Sequence, residues 1–399
     1  MRIERPREVE RFGAVRFGGL QKVFELDSGL MRERAPKKGS TIVQIPYQEL
    51  YDIEQEMAIV VPVYKERLKL VEGVLCGIPH ACLIIIVSNS PTRPVDRYAM
   101  EKEALRDFCT FVNKDALIVH QKDPLLAKAF KKAGYKAILN KKGEIRDGKA
   151  EGMIIGKILA LLAGKKYIGF VDSDNYFPGA VSEYIHEYAA GFALSRSKYS
   201  MVRIAWHSKP KITESKLFFR KWGRTSQNTN RLLNKLITQF TGYETEIIKT
   251  GNAGEHAMTS ELAMILDYST GYSIEPYHII NMMEKFGGIT QSPFPEVMKS
   301  GVEVFQVESR NPHLHEAGDV EHVEEMSFLA MQTMYHSPLC KDKLKKEILN
   351  EMIRRKAVEK GRFPPQPSIL PALSSIDLKS FLKDIKQAPC ARLIKEGDL

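Results

Sequence analysis

The chain has 399 residues, of which 43% are hydrophobic and 27% charged, the composition of a globular protein with one large or two ordinary domains. No apolar run approaches the ~20 residues of a membrane span, Met1-Arg2-Ile3-Glu4-Arg5-Pro6 carries no signal-peptide core, and five scattered cysteines without a CxxC pair argue against a disulfide framework or zinc site. The net charge of +10 is spread along the chain with no zinc-finger or RNP-type motif, so we expect a cytoplasmic protein with a small polyanionic substrate, no nucleic-acid partner and no membrane contact.

Residues 1–55 are mixed and polar, an N-terminal segment with a loop at Pro36-Lys37-Lys38-Gly39-Ser40. Met57-Ala58-Ile59-Val60-Val61-Pro62-Val63 then reads as a buried strand, followed by a helix through about Leu75. Cys82 to Val87 is a second strand, 99–112 a helix, and Ala116 to His120 a third strand. The β-branched runs predict burial on both faces, as in a parallel sheet. Asp123-Pro124 supplies an N-cap and a first-turn proline, and Gly134 closes that helix. A further helix over 150–163 leads into the short apolar strand Tyr167-Ile168-Gly169-Phe170-Val171. Residues 56–206 therefore alternate strand and helix, the signature of an α/β, Rossmann-like sheet, with a helix over 180–193 and a strand over 200–206. The pattern changes over 207–335. Residues 207–245 are polar and basic, 250–268 become helical with Glu255, Met258, Leu262 and Ile265 on one face, and 301–307 alternates like a half-buried strand. The remainder, 336–399, is a helical C-terminal extension interrupted by Phe363-Pro364-Pro365-Gln366-Pro367, and the 320–399 region is a candidate homodimer contact.

The strand at 167–171 runs straight into Asp172-Ser173-Asp174-Asn175. Ligands of open α/β sheets bind beyond the carboxyl ends of the strands, and two hard oxygen donors there suit Mg²⁺ or Mn²⁺ carrying a diphosphate. An isolated pair of this kind reads more readily as a solvated turn than as a metal site, since turns favour Asp. Other features also fall at strand ends or helix starts. They are Val61 to Glu66, Ser88-Asn89-Ser90, Gly148-Lys149-Ala150-Glu151-Gly152, and His313 with His315. Each taken singly has a bland reading as a turn or cap; their joint placement around Asp172 and Asp174 is what points to one crevice.

With these segments, the chain resembles nucleotide-sugar glycosyltransferases of the GT-A type, and most closely the mannosyl-3-phosphoglycerate synthase family, with glucosyl-3-phosphoglycerate synthases as cousins. Asp172-Ser173-Asp174, Gly223-Arg224-Thr225, the Gly251 to Met258 segment and Arg310-Asn311-Pro312-His313-Leu314-His315 carry the likeness, over about residues 55–335. The resemblance implies a GT-A-type nucleotide-sugar-binding sheet with an acceptor-binding C-terminal half. It implies mannose transfer from GDP-mannose to 3-phosphoglycerate, with retention at the anomeric carbon, in the synthesis of the compatible solute mannosylglycerate. Asp174 and one of His313 and His315 would hold Mg²⁺ (or Mn²⁺ or Co²⁺), the motif not choosing between the two histidines. Asp172 would hold the donor ribose or the metal's water shell, and Lys149 the diphosphate. Pro62, Tyr64, Glu66, Ser88 and Asn89 would border the guanosine. Gly223, Arg224 and Thr225 would bind the acceptor phosphate, Tyr272 and Glu275 would face the acceptor, and Glu255 would lie near the mannose hydroxyls. The resemblance thus makes Asp174, Glu255 and Arg224 the catalytic candidates. No residue stands out as a covalent nucleophile, so front-face attack is expected.

Two enzyme classes fit less well. A sugar nucleotidyltransferase needs a Gly-rich, Arg-containing loop after its first strand, and Val63-Tyr64-Lys65-Glu66 offers none. A phosphatase with an Asp nucleophile places its DxD on the first strand. The alternatives left standing are a glucosyl-3-phosphoglycerate synthase or another metal-dependent nucleotide-sugar transferase and, more remotely, a non-enzymatic nucleic-acid binder.

Overall fold

Four strands alternate with helices as the apolar runs predict. The computed structural model describes residues 1–26, 41–175, 177–207, 211–213, 216–218, 224–313, 320–386 and 391–392. Strands Met57–Val63, Leu83–Ser88, Ala116–His120 and Tyr167–Phe170 are mutually parallel. In space these four run in the order third, second, first, fourth. The chain thus works outward from its first strand and then returns to that strand's other side. Such a reversal of strand order opens a crevice beyond the carboxyl ends, here between Met57–Val63 and Tyr167–Phe170.

Alternate residues of each strand feed two cores. Ala58 and Val60 pack on one face with helices Pro124–Lys132 and Lys149–Leu162. Ile59 and Val61 pack on the other with Leu68–Gly77 and Pro178–Leu194. The Asp123 carboxylate accepts from the Leu125 N–H at 2.8 Å, the expected cap with Pro124 in the first turn.

Beyond Tyr167–Phe170 the sheet is mixed. His256–Thr259 pairs antiparallel with Tyr167–Phe170 on one side and Ser200–Ala205 on the other. Val302–Glu308 runs parallel to Ser200–Ala205 and to Val15–Glu25. Strands Arg2–Glu4, Val9–Phe12, Val15–Glu25 and Ile42–Gln44, all from the first 55 residues, together with Ala391–Arg392 paired antiparallel beside Ala116–His120, complete a twelve-stranded sheet among the described residues.

Two local expectations change. Residues 256–259 form a strand, and the helix that follows covers only Ser260–Ile265; pairing with neighbours on both sides overrides the helical spacing. Val302–Glu308 is buried along its whole length rather than half-exposed. Gln306 and Glu303 find partners inside the fold. Gln306 donates to the carbonyls of Gly18 and Ile247 and accepts from Lys249 N–H and Thr250 Oγ1. Glu303 accepts from Arg16 and Ser195.

The C-terminal elements pack back on the body. Helix Val320–His336 lies against helix Arg224–Thr241, and helix Leu378–Ile385 lies on Pro124–Lys132. There the Phe130 and Phe381 rings meet edge-on at 4.9 Å and Lys132 pairs with Asp384 at 2.7 Å. Among the described residues no helix is long and apolar enough to cross a membrane.

Candidate active site

The strand directions decide which residues can meet. Met57–Val63, Leu83–Ser88, Tyr167–Phe170, Ser200–Ala205 and Val302–Glu308 all end at one edge of the sheet, and His256–Thr259 begins there. That edge therefore collects Tyr64 to Glu66, Asn89, Asp172 to Asn175, Trp206, Glu255 and the 309–313 segment.

On the side of the first strand, Tyr64 is exposed and Pro62 half-buried. The Glu66 carboxylate turns back to accept the Tyr64 N–H at 2.6 Å. Burial raises the Glu66 carboxyl above its ordinary range, opposed by hydrogen bonds that include one from Ser173. That contact ties the first loop to the Asp-Ser-Asp turn. Ser88 is fully buried and donates to Glu101 at 2.6 Å, so its hydroxyl is engaged inside the fold. Asn89 is half-buried; its N–H donates to Val63 O at 2.9 Å and its side chain to Asp147 at 3.3 Å.

Lys149 begins helix Lys149–Leu162 directly after Gly148, whose φ of 141° suits glycine. Its ammonium lies 2.6 Å from Asp172 and 2.9 Å from Glu275. Burial alone would lower the Lys149 pKa, but the two carboxylates hold it well above the ordinary lysine range. Gly254 packs against this group: a Cβ there would fall 2.5 Å from Asp172 Oδ2 and 3.3 Å from Lys149 Nζ. Any side chain at 254 would displace the pair.

Glu255 is fully buried, and its Oε2 accepts the Trp206 indole N–H at 2.9 Å. Its carboxyl is pushed up to about 8, by burial first and then by Asp172, with Lys149 opposing and Asp174 adding. His313 is buried and stacks on Trp206 with ring centroids 4.0 Å apart and planes at 10°. Its Nδ1 lies 3.3 Å from Tyr184 Oη, 3.4 Å from Asn175 Nδ2 and 3.8 Å from Glu255 Oε1. The residue after Asp174 thus touches His313, although no regular strand extends that far. Among the described residues no three His, Cys, Asp or Glu side chains form a ready-made metal cage.

Among the residues expected to face the acceptor, Arg224 opens helix Arg224–Thr241 and Thr225 is half-buried in its first turn. Gly223 and His315 lie outside the described residues, as does the side chain of Arg224. Tyr272 sits in a turn at Gly271–Ser273 beside the crevice. Burial and Glu325 raise its hydroxyl, with Lys149, Glu275 and Asp172 also acting on it. Glu275 is buried and spends one oxygen on Lys149.

A family model described as mannosyl-3-phosphoglycerate synthase matches residues 5–385. Among curated proteins, the chain is 48% identical over 387 residues to mannosyl-3-phosphoglycerate synthase of Pyrococcus furiosus, covering 97% of both chains. It is 37% identical over 370 residues to that of Aeropyrum pernix, covering 92% of this chain and 93% of the other. The chain belongs to the mannosyl-3-phosphoglycerate synthase family. Solved structures of glucosyl-3-phosphoglycerate synthase from Mycobacterium tuberculosis are far more distant. One, in complex with Mn²⁺, UDP and glucosyl-3-phosphoglycerate, is 13% identical with a TM-score of 0.46, covering 86% of this chain and 98% of that one. Another, with Mn²⁺, UDP-glucose and glycerol 3-phosphate, is 14% identical with a TM-score of 0.47 and the same coverage.

For this family member, sequence reasoning left several site residues unassigned. Trp206 closes the predicted 200–206 strand and Asn175 follows the Asp-Ser-Asp turn, so position alone could have flagged both. Tyr184 and Glu183 sit on a helix without any motif, and only the fold brings them to His313 and its loop.

Proposed function

We propose that the chain transfers the mannosyl group of GDP-mannose to the free hydroxyl of 3-phosphoglycerate, with retention at the anomeric carbon. The observation that carries this reading is the near full-length similarity to two mannosyl-3-phosphoglycerate synthases. The crevice supplies groups of the right chemistry for it.

The donor set fits a divalent cation, Mg²⁺ or alternatively Mn²⁺ or Co²⁺. Asp172, Asp174 and Glu255 concentrate negative charge at one place, and that crowding contributes to the raised Glu255 carboxyl. Asp174 and His313 are the protein ligands in this reading. Mg²⁺ is commonly held by one or two protein groups, with substrate phosphates and water completing its shell, so the absence of a full protein cage among the described residues is compatible. A bound cation would neutralise the diphosphate as it departs.

The protein's own groups would do the rest by positioning. Lys149, fixed between Asp172 and Glu275, presents a permanent positive charge to the diphosphate. Asp172 holds the donor ribose or the water around the cation. Pro62, Tyr64, Glu66 and Asn89 border the guanosine, with Ser88 supporting them from within. Glu255, oriented by Trp206, meets the mannose hydroxyls. In this reading Arg224, with backbone N–H groups at the start of its helix, would bind the acceptor phosphate, and Tyr272 and Glu275 would face the acceptor. The donor phosphate would take the acceptor proton in front-face attack.

The test is to incubate the protein with Mg²⁺, 3-phosphoglycerate and either GDP-mannose or UDP-glucose. GDP release with formation of mannosyl-3-phosphoglycerate is expected. Turnover with UDP-glucose alone would make the chain a glucosyl enzyme, and no GDP release at all would refute the assignment. Trapping a covalent mannosyl-enzyme would exclude front-face attack.

A further inference from the structure

We propose that Glu183 is a positioning residue for the cation site, clamping the backbone of Arg310 and Asn311 and so setting where His313 stands. The inference rests on the reading of His313 as a metal ligand. After strand Val302–Glu308 the chain must turn to deliver His313 to the crevice. At that turn the N–H groups of Arg310 and Asn311 donate to the two oxygens of Glu183, at 2.5 and 2.7 Å. One carboxylate holding two successive N–H groups is a charge-assisted pair with a defined direction. Glu183 is buried, on helix Pro178–Leu194, and the next residue, Tyr184, places its hydroxyl 3.3 Å from His313 Nδ1. The same helix therefore grips the loop backbone and the imidazole.

A buried carboxylate is costly unless it is hydrogen-bonded, and the loop N–H groups meet that need. One turn along the helix, Glu187 is also fully buried, beside Glu183. Burial, and then Glu183 beside it, hold the Glu187 carboxyl well above the usual range. Further contacts limit the loop's freedom: Ser309 Oγ donates to Asn311 O at 3.1 Å, and the His207 N–H donates to Ser309 Oγ at 3.2 Å. Groups that orient a metal ligand from outside the coordination shell alter metal affinity about 10–100-fold when removed.

Trp206 supplies a readout independent of turnover, because it stacks on His313 at 4.0 Å. The chain has two tryptophans, so Trp222→Phe leaves Trp206 as the sole reporter. In that background, with GDP present, Mn²⁺ titration is expected to quench Trp206 fluorescence. Glu183→Gln, whose amide meets a backbone N–H with a donor instead of an acceptor, should raise the apparent Mn²⁺ Kd by about 10–100-fold. Glu187→Gln keeps a neutral side chain and should leave the Kd within about twofold. If circular dichroism shows that Glu183→Gln does not fold, Glu183→Asp decides: it keeps the charge, draws the carboxylate back, and should weaken Mn²⁺ binding several-fold. A folded Glu183 variant with a lowered Tm but the parent's Mn²⁺ Kd would overturn the clamp while leaving the metal reading intact. No quenching in the parent background would overturn the metal reading and the clamp together.

Discussion

The two halves of the sheet reach the same crevice on opposite terms. From Met57–Val63 to Tyr167–Phe170 the strand interiors are apolar, and the polar groups wait at the carboxyl ends. From Ser200–Ala205 to Val302–Glu308 charged and polar side chains are buried within the strands themselves. Arg203 is fully buried and donates to the carbonyls of Thr250, Gly251 and Glu275. Burial lowers its pKa to about 10, with Glu275 opposing, so it stays charged at neutral pH. His256, also fully buried, directs Nδ1 to the carbonyls of Ala253 and Gly254. In the first half, the scaffold and the site can be altered separately. In the second, the groups that hold the fold also hold the loop before Glu255 and the helix start at Glu275.

That contrast can be broken or sharpened by substitution. The largest effect should come from Asp174→Ala, which removes a proposed cation ligand at the end of the apolar half. Turnover with Mg²⁺ should fall by roughly a thousandfold or more, about 4 kcal/mol in the barrier, while the Tm changes little. Near-normal activity would remove Asp174 from the site. In the polar half, Arg203→Met should cost about 3–5 kcal/mol of stability, because it strands buried carbonyls. It should also depress activity, a coupling that denaturation and kinetics measured together would reveal. Stable, fully active Arg203→Met protein would end the argument that fold and site are shared there. Arg224→Ala should raise the KM for 3-phosphoglycerate by about 10–100-fold, as expected for one charge-assisted hydrogen bond of ~1.5–3 kcal/mol, and change the GDP-mannose KM less. An equal rise in both would place Arg224 away from the acceptor. The smallest effect should come from Ile85→Val in the apolar half, about 0.5–1.5 kcal/mol of stability with kcat unchanged at moderate temperature.

The legibility of the site follows the same division. Asp172 and Asp174 could be placed because a short apolar strand ends immediately before them, and Lys149 because Gly148 marks a helix start. The glycines before Glu255 stand out as a motif, yet the residues after them carry helical spacing while forming a strand. Its neighbours lie on segments distant in the chain, and only pairing with both makes 256–259 extended. Val302–Glu308 looked half-exposed because its polar residues alternate with apolar ones. Nothing local could show that Gln306 and Glu303 find buried partners.

The sequence by itself determined the alternating strands and helices of residues 57–170, the cap at Asp123-Pro124, and the position of the Asp-Ser-Asp turn. These depend on side-chain periodicity and turn chemistry within a few residues, which a linear chain displays directly. Only the tertiary structure decided that Lys149 stands between Asp172 and Glu275, that Trp206 stacks on His313, and that Glu183 grips a loop 128 positions further along the chain. Those contacts arise from strand order and direction, and they leave no local pattern in the amino-acid sequence.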